Sequence, residues 1–354
     1  MKTKTSFKPV KHTIGVDLGD VRHFVCVLDR AGNIIEERSI TNHRESLRRL
    51  AKKYPGARLA MEVGCHSPWI SRFLKELGLE VIVANARKLR AIYMNDRKSD
   101  ELDAQMLAKI ARVDPSLLYP IEHGSEEAQR DLLAIKLRDN LVRRRVDIIS
   151  SVRFALKSLG VRLPSPNTAS FAKRARTFLE SKHPELLSIV EPSLSILEEL
   201  TQGIREFDRA IESMCQERYP QSALLRQITG VGPITALCFV LVVGHPERFS
   251  EVRGVAAYFG LVPKRDQSGG CDKKLPISKA GNAYMRRLLV GSAQYILGPF
   301  GPESDLRTRG LALIERGGRG AKKKAVVATA RKLAVLMLAL WQRQEDYEPL
   351  RKAA

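Results

Sequence analysis

Short apolar runs separated by polar turns open the chain. They are His12–Asp17, His23–Asp29 and Ile34–Ile40, the last two joined by Arg30-Ala31-Gly32-Asn33. Runs of this length between turn residues predict three strands. Beyond Asn42 the period changes. Glu45–Tyr54 has helical spacing, Arg58–Val63 predicts a buried strand, Pro68–Leu77 predicts a helix ended by Gly78, and Glu80–Ala84 predicts another strand. Ser99 stands where an N-cap is needed, so a helix is expected from Asp100 to about Arg112. Three strands followed by alternating helix and strand predict a mixed sheet covered by helices.

The pattern changes near residue 122. From Ser125 to Leu159 there is neither proline nor glycine, and Ala128, Ile135, Val142, Ile149 and Leu156 recur every seven residues. The companion seam has Leu132 and Val146 but is interrupted by Asp139 and Arg153. After a break at 160–167 a cleaner repeat follows, with Val190, Leu197, Ile204 and Ile211 on one seam and Leu200, Phe207 and Met214 on the other. Spacing of this kind predicts either a dimerising coiled coil or two helices of an ordinary bundle.

The last third opens with Leu225–Ala236, where Gly230-Val231-Gly232-Pro233 follows an apolar turn. This is the pattern of a helix-hairpin-helix, whose glycines let backbone N–H groups approach a phosphate; a plain helix–turn–helix connection would use the same residues. A loop is expected over 260–270, then Ile277-Ser278-Lys279-Ala280-Gly281-Asn282, then a helix from Ala283 to about Leu297 carrying Arg286 and Arg287. Arg316–Lys324 feeds a final, mostly apolar helix to about Gln342. Three domains are expected, at residues 1–122, 123–220 and 221–354.

Charge narrows the candidate partners. Lysine and arginine number 60 against 39 acids, a formal net charge of +21 that attracts polyanions. Membrane is the weakest candidate, because the longest apolar run, Ile234–Val243, is too short to span a bilayer and the N-terminus has no apolar signal core. Five scattered cysteines without a Cys-x-x-Cys argue for a reduced, cytoplasmic protein and against a disulfide framework or a zinc site. Aromatics make up only 6% of the chain, so base stacking on an aromatic platform is not indicated. The cluster Lys322, Lys323 and Lys324 has no balancing acidic run and is assigned to nucleic-acid backbone contact.

Against this basic background four acids stand out. Asp17 ends the first predicted strand in Gly15-Val16-Asp17-Leu18-Gly19, and Glu62 ends another in Ala60-Met61-Glu62-Val63-Gly64. Asp100 and Asp103 lie three apart on a predicted helix and so share a face. Buried strands seldom hold carboxylates without a reason, because an unpaired one is costly there. Several carboxylates converging on one point are what a two-metal phosphodiester site requires, so Mg²⁺, as two ions, is the expected cofactor. Taken singly, each acid could be an ordinary surface residue, and Asp100 and Asp103 also suit a helix N-terminus. Asp20 is a supporting candidate; Asp29, Asp96 and Glu101 are less favoured.

The element order of the first 112 residues resembles the sheet shared by ribonuclease H and Holliday-junction resolvases. With Met-Glu-Val-Gly at Glu62, Lys-Ser-Asp-x-Leu-Asp-Ala at Asp100 and Asp103, Gly-Val-Gly-Pro at 230–233, Gly-Leu-Val-Pro at 260–263, Ser-Gly-Gly at 268–270 and Ile-Ser-Lys-x-Gly-Asn at 277–282, the chain resembles the DEDD transposases of bacterial insertion sequences. The resemblance covers nearly its whole length. It implies an α/β N-terminal domain of ribonuclease-H/RuvC-like type, a central helical coiled-coil segment, and a mainly α C-terminal domain with the helix-hairpin-helix-like motif. It also implies DNA recombination at a composite site. The carboxylates bind metal there, and a serine of the C-terminal domain attacks the phosphate to form a phosphoserine link. The implied partners are donor and target DNA, a structured bridge RNA that guides the choice of sites, and further copies of the chain in a dimer or tetramer.

Ser268 is the favoured nucleophile, in a polar loop flanked by glycine with Lys264, Arg265, Lys273 and Lys274 nearby; Ser278 is its rival. The DNA-contacting set is Gly230, Gly232, Lys264, Arg265, Lys279, Arg286, Arg287 and Lys322–Lys324. Three other readings compete with recombination. A hydrolytic nuclease such as a junction resolvase would use the carboxylates with water. A sugar-kinase-like fold would use Gly15–Gly19 as an ATP phosphate loop. A non-enzymatic nucleic-acid scaffold would leave the strand-borne acids unexplained.

Overall fold

The computed structural model describes residues 9–89, 99–164, 167–268 and 271–351. It divides into two compact units, residues 1–126 and 127–354.

The first unit is built on β1 (Thr13–Asp17), β2 (Arg22–Leu28), β3 (Ile34–Thr41), β4 (Arg58–Glu62) and β5 (Glu80–Ala84), in the sheet order β3-β2-β1-β4-β5. The first three strands form an antiparallel meander, and β1, β4 and β5 run parallel. Each strand begins and ends within about two residues of its expected place, because the turns that bound it are local. Asp29 shows this: its carboxylate accepts from the amides of Gly32 and Asn33 at 2.7 and 2.8 Å and closes the β2–β3 turn.

Strand alternation divides the side chains between two faces. Ile14, Val16, Val25, Val27, Leu59 and Met61 pack against Leu47 and Leu50 of α1 (Arg44–Lys53) and Ile70 and Leu74 of α2 (Ser67–Glu76). On the opposite face Cys26, Leu28, Ala60, Ile82 and Ala84 are covered by Ala104, Leu107, Ala108 and Ala111 of α3 (Asp100–Val113). Ser99 caps α3 as expected, its hydroxyl accepting from the Leu102 amide at 3.3 Å.

Gly15 lies at the centre of that second face. A Cβ placed there would fall 1.9 Å from the Ala104 carbonyl oxygen and 2.6 Å from the Ala108 nitrogen. Helix and sheet thus meet backbone to backbone, which only glycine facing a stripe of alanines permits.

In the second unit α4 (Glu126–Lys157) and α6 (Pro184–Glu217) lie side by side and antiparallel. Arg138 meets Asp208 at 2.5 Å, Arg145 donates to Thr201 at 3.3 Å, and Asp131 accepts from Arg218 at 2.8 Å. The heptad residues Ile149, Leu156, Val190 and Leu197 are buried in a cluster completed by Phe171, Ala175 and Leu179 of α5 (Phe171–Lys182). These residues of the first seam are covered within one chain, whereas Val146 of the companion seam is exposed, so a coiled coil is not established. The helix α5 was not legible in the sequence.

The remaining elements are α7 (Gln221–Arg226), α8 (Pro233–Val243), α9 (Gly254–Tyr258), the strands β6 (Pro263–Ser268) and β7 (Cys271–Ile277), α10 (Ala283–Leu297), α11 (Asp305–Glu315) and α12 (Ala321–Arg343). The helix α8 is buried almost all round, with Phe239 against both Phe259 and Trp341. Among the described residues α12 is the one helix long and apolar enough by composition to cross a membrane. Ala325, Leu333, Ala334, Met337 and Leu338 on it are wholly buried in the protein core, so its apolar face is already occupied here.

Replacing Gly15 with alanine should cost about 3 kcal/mol, at the upper end of what overpacking usually costs, because the obstructing atoms are backbone. Urea unfolding of the full chain checks this; an unchanged midpoint would contradict so close a contact.

Candidate active site

Asp17 and Glu62 end adjacent parallel strands. The register pairs Gly15 with Ala60 and Val16 with Met61, so the two acids leave the sheet side by side. By alternation both lie on the face that α3 covers. The helix runs antiparallel to these strands: Arg58, at the start of β4, donates to the Ala111 carbonyl at 3.3 Å, while Gly15 touches Ala104 and Ala108. From Arg58 to Glu62 the strand climbs about 13 Å at ~3.3 Å per residue. From Ala111 back to Asp103 the helix climbs about 12 Å at ~1.5 Å per residue. Asp103 therefore reaches the level of Glu62, and Asp100 continues past it. Asp103 is buried, Asp17 and Glu62 are half-buried, and Asp100 is exposed.

All four donors are carboxylate oxygens, which suit a hard divalent cation; Mg²⁺ usually takes only one or two protein carboxylates and completes its shell with water and substrate phosphate. Among the described residues no group of three or more Asp, Glu, His or Cys is close enough to hold a metal ion, so the expected convergence of the four acids on one point is not seen in this structure. Asp96 lies outside the described residues. Cys26 sits beneath α3, and burial pushes its thiol up to about 12, which removes it as a ligand or nucleophile at neutral pH.

A feature that the sequence did not reveal lies at the same end of the sheet. Asp20, exposed, meets Nε2 of His66 at 2.9 Å, and the Trp69 indole donates to Nδ1 of that ring at 3.3 Å. With Nδ1 accepting, the neutral ring carries its proton on Nε2, facing Asp20. The Asn42 amide donates to the Asp20 carbonyl at 2.9 Å and holds the turn. Asp20 and His66 are 46 residues apart, and no spacing rule pairs them.

In the second unit the structure revises the expected loop at 260–270. Pro263–Ser268 and Cys271–Ile277 form an antiparallel hairpin, with Ser268 opposite Cys271 and Gln267 opposite Asp272. Gly269 and Gly270 lie outside the described residues. A Gly-Gly pair between two runs is itself a hairpin signal; it was obscured because Lys264–Ser268 and Asp272–Lys274 have no apolar alternation.

The base of this hairpin is locked. A Cβ on Gly260 would lie 2.2 Å from the Ala280 nitrogen, one on Gly281 would lie 1.9 Å from the Tyr258 oxygen, and both glycines have φ near +67°. The Ser278 amide donates to the Val262 carbonyl at 2.8 Å, and its hydroxyl accepts from the Ala280 amide at 3.4 Å. Lys279 follows in the left-handed region at φ 53°. Arg286 donates to the Phe259 and Ala280 carbonyls at 3.0 and 2.7 Å. Ser278 thus has a structural task at the base, while Ser268 ends β6 at the far end.

The other basic candidates are placed differently. Lys264 and Arg265 are exposed on β6, with Arg265 3.8 Å from Asp272. Arg287 pairs with Asp139 of α4 and stacks over Tyr284, whose phenol is pushed up to about 12 by burial and by Asp139. Gly230 has φ 92° in the turn before α8, and Gly232 is the N-cap residue of that helix, with open space where its Cβ would be. Lys322, Lys323 and Lys324 are exposed in the first turn of α12.

A mixed sheet with acids at the carboxyl ends of two adjacent parallel strands and on the covering helix is consistent with a RuvC-like DEDD domain. Comparison with known proteins agrees. A DEDD transposase family profile of the IS110 type, described as "Transposase", matches residues 14–160, and one described as "Transposase IS116/IS110/IS902 family" matches residues 222–307. The chain is 27% identical to "Transposase for insertion sequence element IS1111A" of Coxiella burnetii, over 98% of this chain and 93% of that protein. It is 27% identical to a "Probable family 20 transposase" of Pseudomonas aeruginosa, over 95% and 98%. It is 26% identical to "Transposase for insertion sequence element IS1328" of Yersinia enterocolitica, over 79% and 82%. The chain belongs to the DEDD transposases of insertion sequences, enzymes that cut and rejoin DNA. Membership implies dependence on a divalent metal.

His23, wholly buried on β2, is held below the usual histidine range by burial and by the nearby His66; His123 is lowered by burial and by Arg72 and Lys75. The unfolded chain therefore binds more protons than the folded one below about pH 6.5, and stability should fall as pH drops through that value. Thermal unfolding between pH 7.5 and 5.5 should show a falling midpoint, and His23→Leu with His123→Leu should flatten the fall. An equally steep fall in the double variant would assign it to other groups.

Proposed function

We propose that this transposase uses Asp17, Glu62, Asp100 and Asp103 to hold two Mg²⁺ ions against a DNA phosphate, and Ser268 as the nucleophile. The observation that carries the metal site is the level reached by Asp103 opposite Asp17 and Glu62, set by the contact of Gly15 with Ala104. When bound, the cations would polarise the scissile phosphate and stabilise the departing oxygen.

Ser268 Oγ would attack phosphorus and lose its proton as the P–O bond to the leaving strand breaks. The covalent phosphoserine keeps the bond energy for rejoining, when a hydroxyl of the incoming strand attacks and releases the serine. The choice of Ser268 over Ser278 is supported by the hydrogen bonds that tie Ser278 into the hairpin base. Gly230, Gly232, Lys264, Arg265, Lys279, Arg286, Arg287 and Lys322–Lys324 would contact nucleic-acid backbone. A structured RNA from the element would guide site choice, and the protein would work in the cytoplasm as a dimer or tetramer.

The second reading is a RuvC-like endonuclease that hydrolyses DNA with water and needs the carboxylates alone. Trapping a covalent protein–DNA adduct on a denaturing gel separates the two. Ser268→Ala should abolish the adduct, Ser278→Ala should retain it, and Asp17→Asn should lower strand cleavage by at least about a hundredfold, as for loss of a major electrostatic contribution. An adduct that persists in Ser268→Ala refutes the serine assignment; cleavage without any adduct favours the hydrolase.

A further inference from the structure

The second unit contains a groove of about 1550 Å³, bounded by α12, the base of the β6–β7 hairpin and the segment around Tyr347. This exceeds the range of roughly 300–1,000 Å³ that small-molecule sites occupy. Its floor includes Val327, Ala328, Val335 and Leu336, all half-buried. Around it stand Arg253, Arg309, Lys323, Lys324, Arg331 and Lys332, all exposed.

None of these six cations forms an ion pair with a described residue. Several arginines elsewhere are neutralised: Arg58 with Glu80, Arg176 with Glu191 and Glu198, Arg218 with Asp131. The acids on the groove do not supply the missing charge. Glu345 faces Arg343 and Arg351 at 3.8 and 3.9 Å, and Asp346 accepts from Gln227 at 2.8 Å, which leaves Asp305 and Glu348.

The placement of the lysines is also unfavourable in itself. Lys323 and Lys324 occupy the first turn of α12, where the helix dipole disfavours positive charge and no acid is present. Lys324 and Lys332 then fall on one face of that helix together with Ala328. Like charges held close on a folded surface destabilise it unless a counter-charge arrives.

We propose that this groove binds a DNA strand, its phosphates on the six cations and its sugars and bases over the apolar floor. The inference rests on the recombinase reading and extends it. The hairpin base that walls the groove, through Pro263, Leu275 and Ile277, belongs to the same two strands whose far end carries Ser268. A strand lying in the groove is thereby led along the element that bears the nucleophile. The polar contacts are to phosphates and the bases meet only an apolar floor, so binding is independent of sequence.

The test is a salt titration of a fluorescent single-stranded DNA oligonucleotide against the full chain and the quadruple variant Lys323→Gln/Lys324→Gln/Arg331→Gln/Lys332→Gln. Four lost phosphate contacts should reduce the slope of log affinity against log salt by about 3, at about 0.7 per contact. Affinity at moderate salt should fall at least about tenfold. Ala328→Trp, which fills the floor and keeps every cation, should also weaken the complex.

An unchanged DNA slope overturns the proposal. So does a slope change confined to single-stranded RNA, or a variant whose only defect in light scattering is lost self-association. Ser268→Ala in the same titration should retain the full slope. Absence of any serine–DNA adduct, with the groove variants still weakened, would refute the catalytic reading and leave the groove assignment standing.

Discussion

The backbone contact between β1 and α3 is the constraint on which the candidate site depends. With any side chain at position 15, the helix would be pushed away from the sheet, because Ala104 and Ala108 are main-chain obstacles that no rotamer change can move. Held at this distance, α3 can bring an acid in its first turn to the height of Asp17 and Glu62. The alanine stripe of α3 serves packing, and the candidate acids stand at its N-terminal end. They share one helix because its face and its end are set by the same contact. The helix dipole also favours Asp100, Glu101 and Asp103 where they stand, so part of the cost of grouping acids is met locally.

The second unit uses glycine in the same way for a different purpose. Gly260 and Gly281 bring two chain segments together at the base of the β6–β7 hairpin, and Arg286 fastens the junction by two carbonyls. The hairpin is therefore fixed at one end, and Ser268 is carried at the other. Arginine in this unit has two uses that net charge alone does not separate. Arg138, Arg218, Arg286 and Arg287 are spent on ion pairs and carbonyls inside the fold. The six cations around the groove of α12 have no ion-pair partner among the described residues.

The strands and helices of residues 12–112 were legible because their determinants are local: apolar runs of strand length, Asp29 closing a turn, Ser99 capping a helix. The carboxylates Asp17 and Glu62 were legible because acids are unexpected at the ends of buried strands. The hairpin at 263–277 was read as a loop because its arms are polar on both faces, so periodicity had nothing to detect. Helix α5 was missed, and the heptads left two architectures open. A seven-residue repeat specifies an apolar seam but not the partner, and here Val190 and Leu197 meet Phe171 and Leu179 of their own chain.

The sequence by itself determined the element order of the first unit and the basic character of the chain, and it singled out the candidate acids and the two candidate serines. Each follows from residue type or short-range spacing. The tertiary structure alone decided that Asp103 stands level with Glu62, that His66 is oriented by Asp20 and Trp69, that Ser278 is tied into a turn, and that unpaired cations surround one groove. These depend on residues far apart in the chain meeting at contact distance, which local chemistry permits but does not specify. Of the four acids first read as a magnesium set, two are placed by the strand register, and the helix that carries the other two is brought close by a residue with no side chain, Gly15.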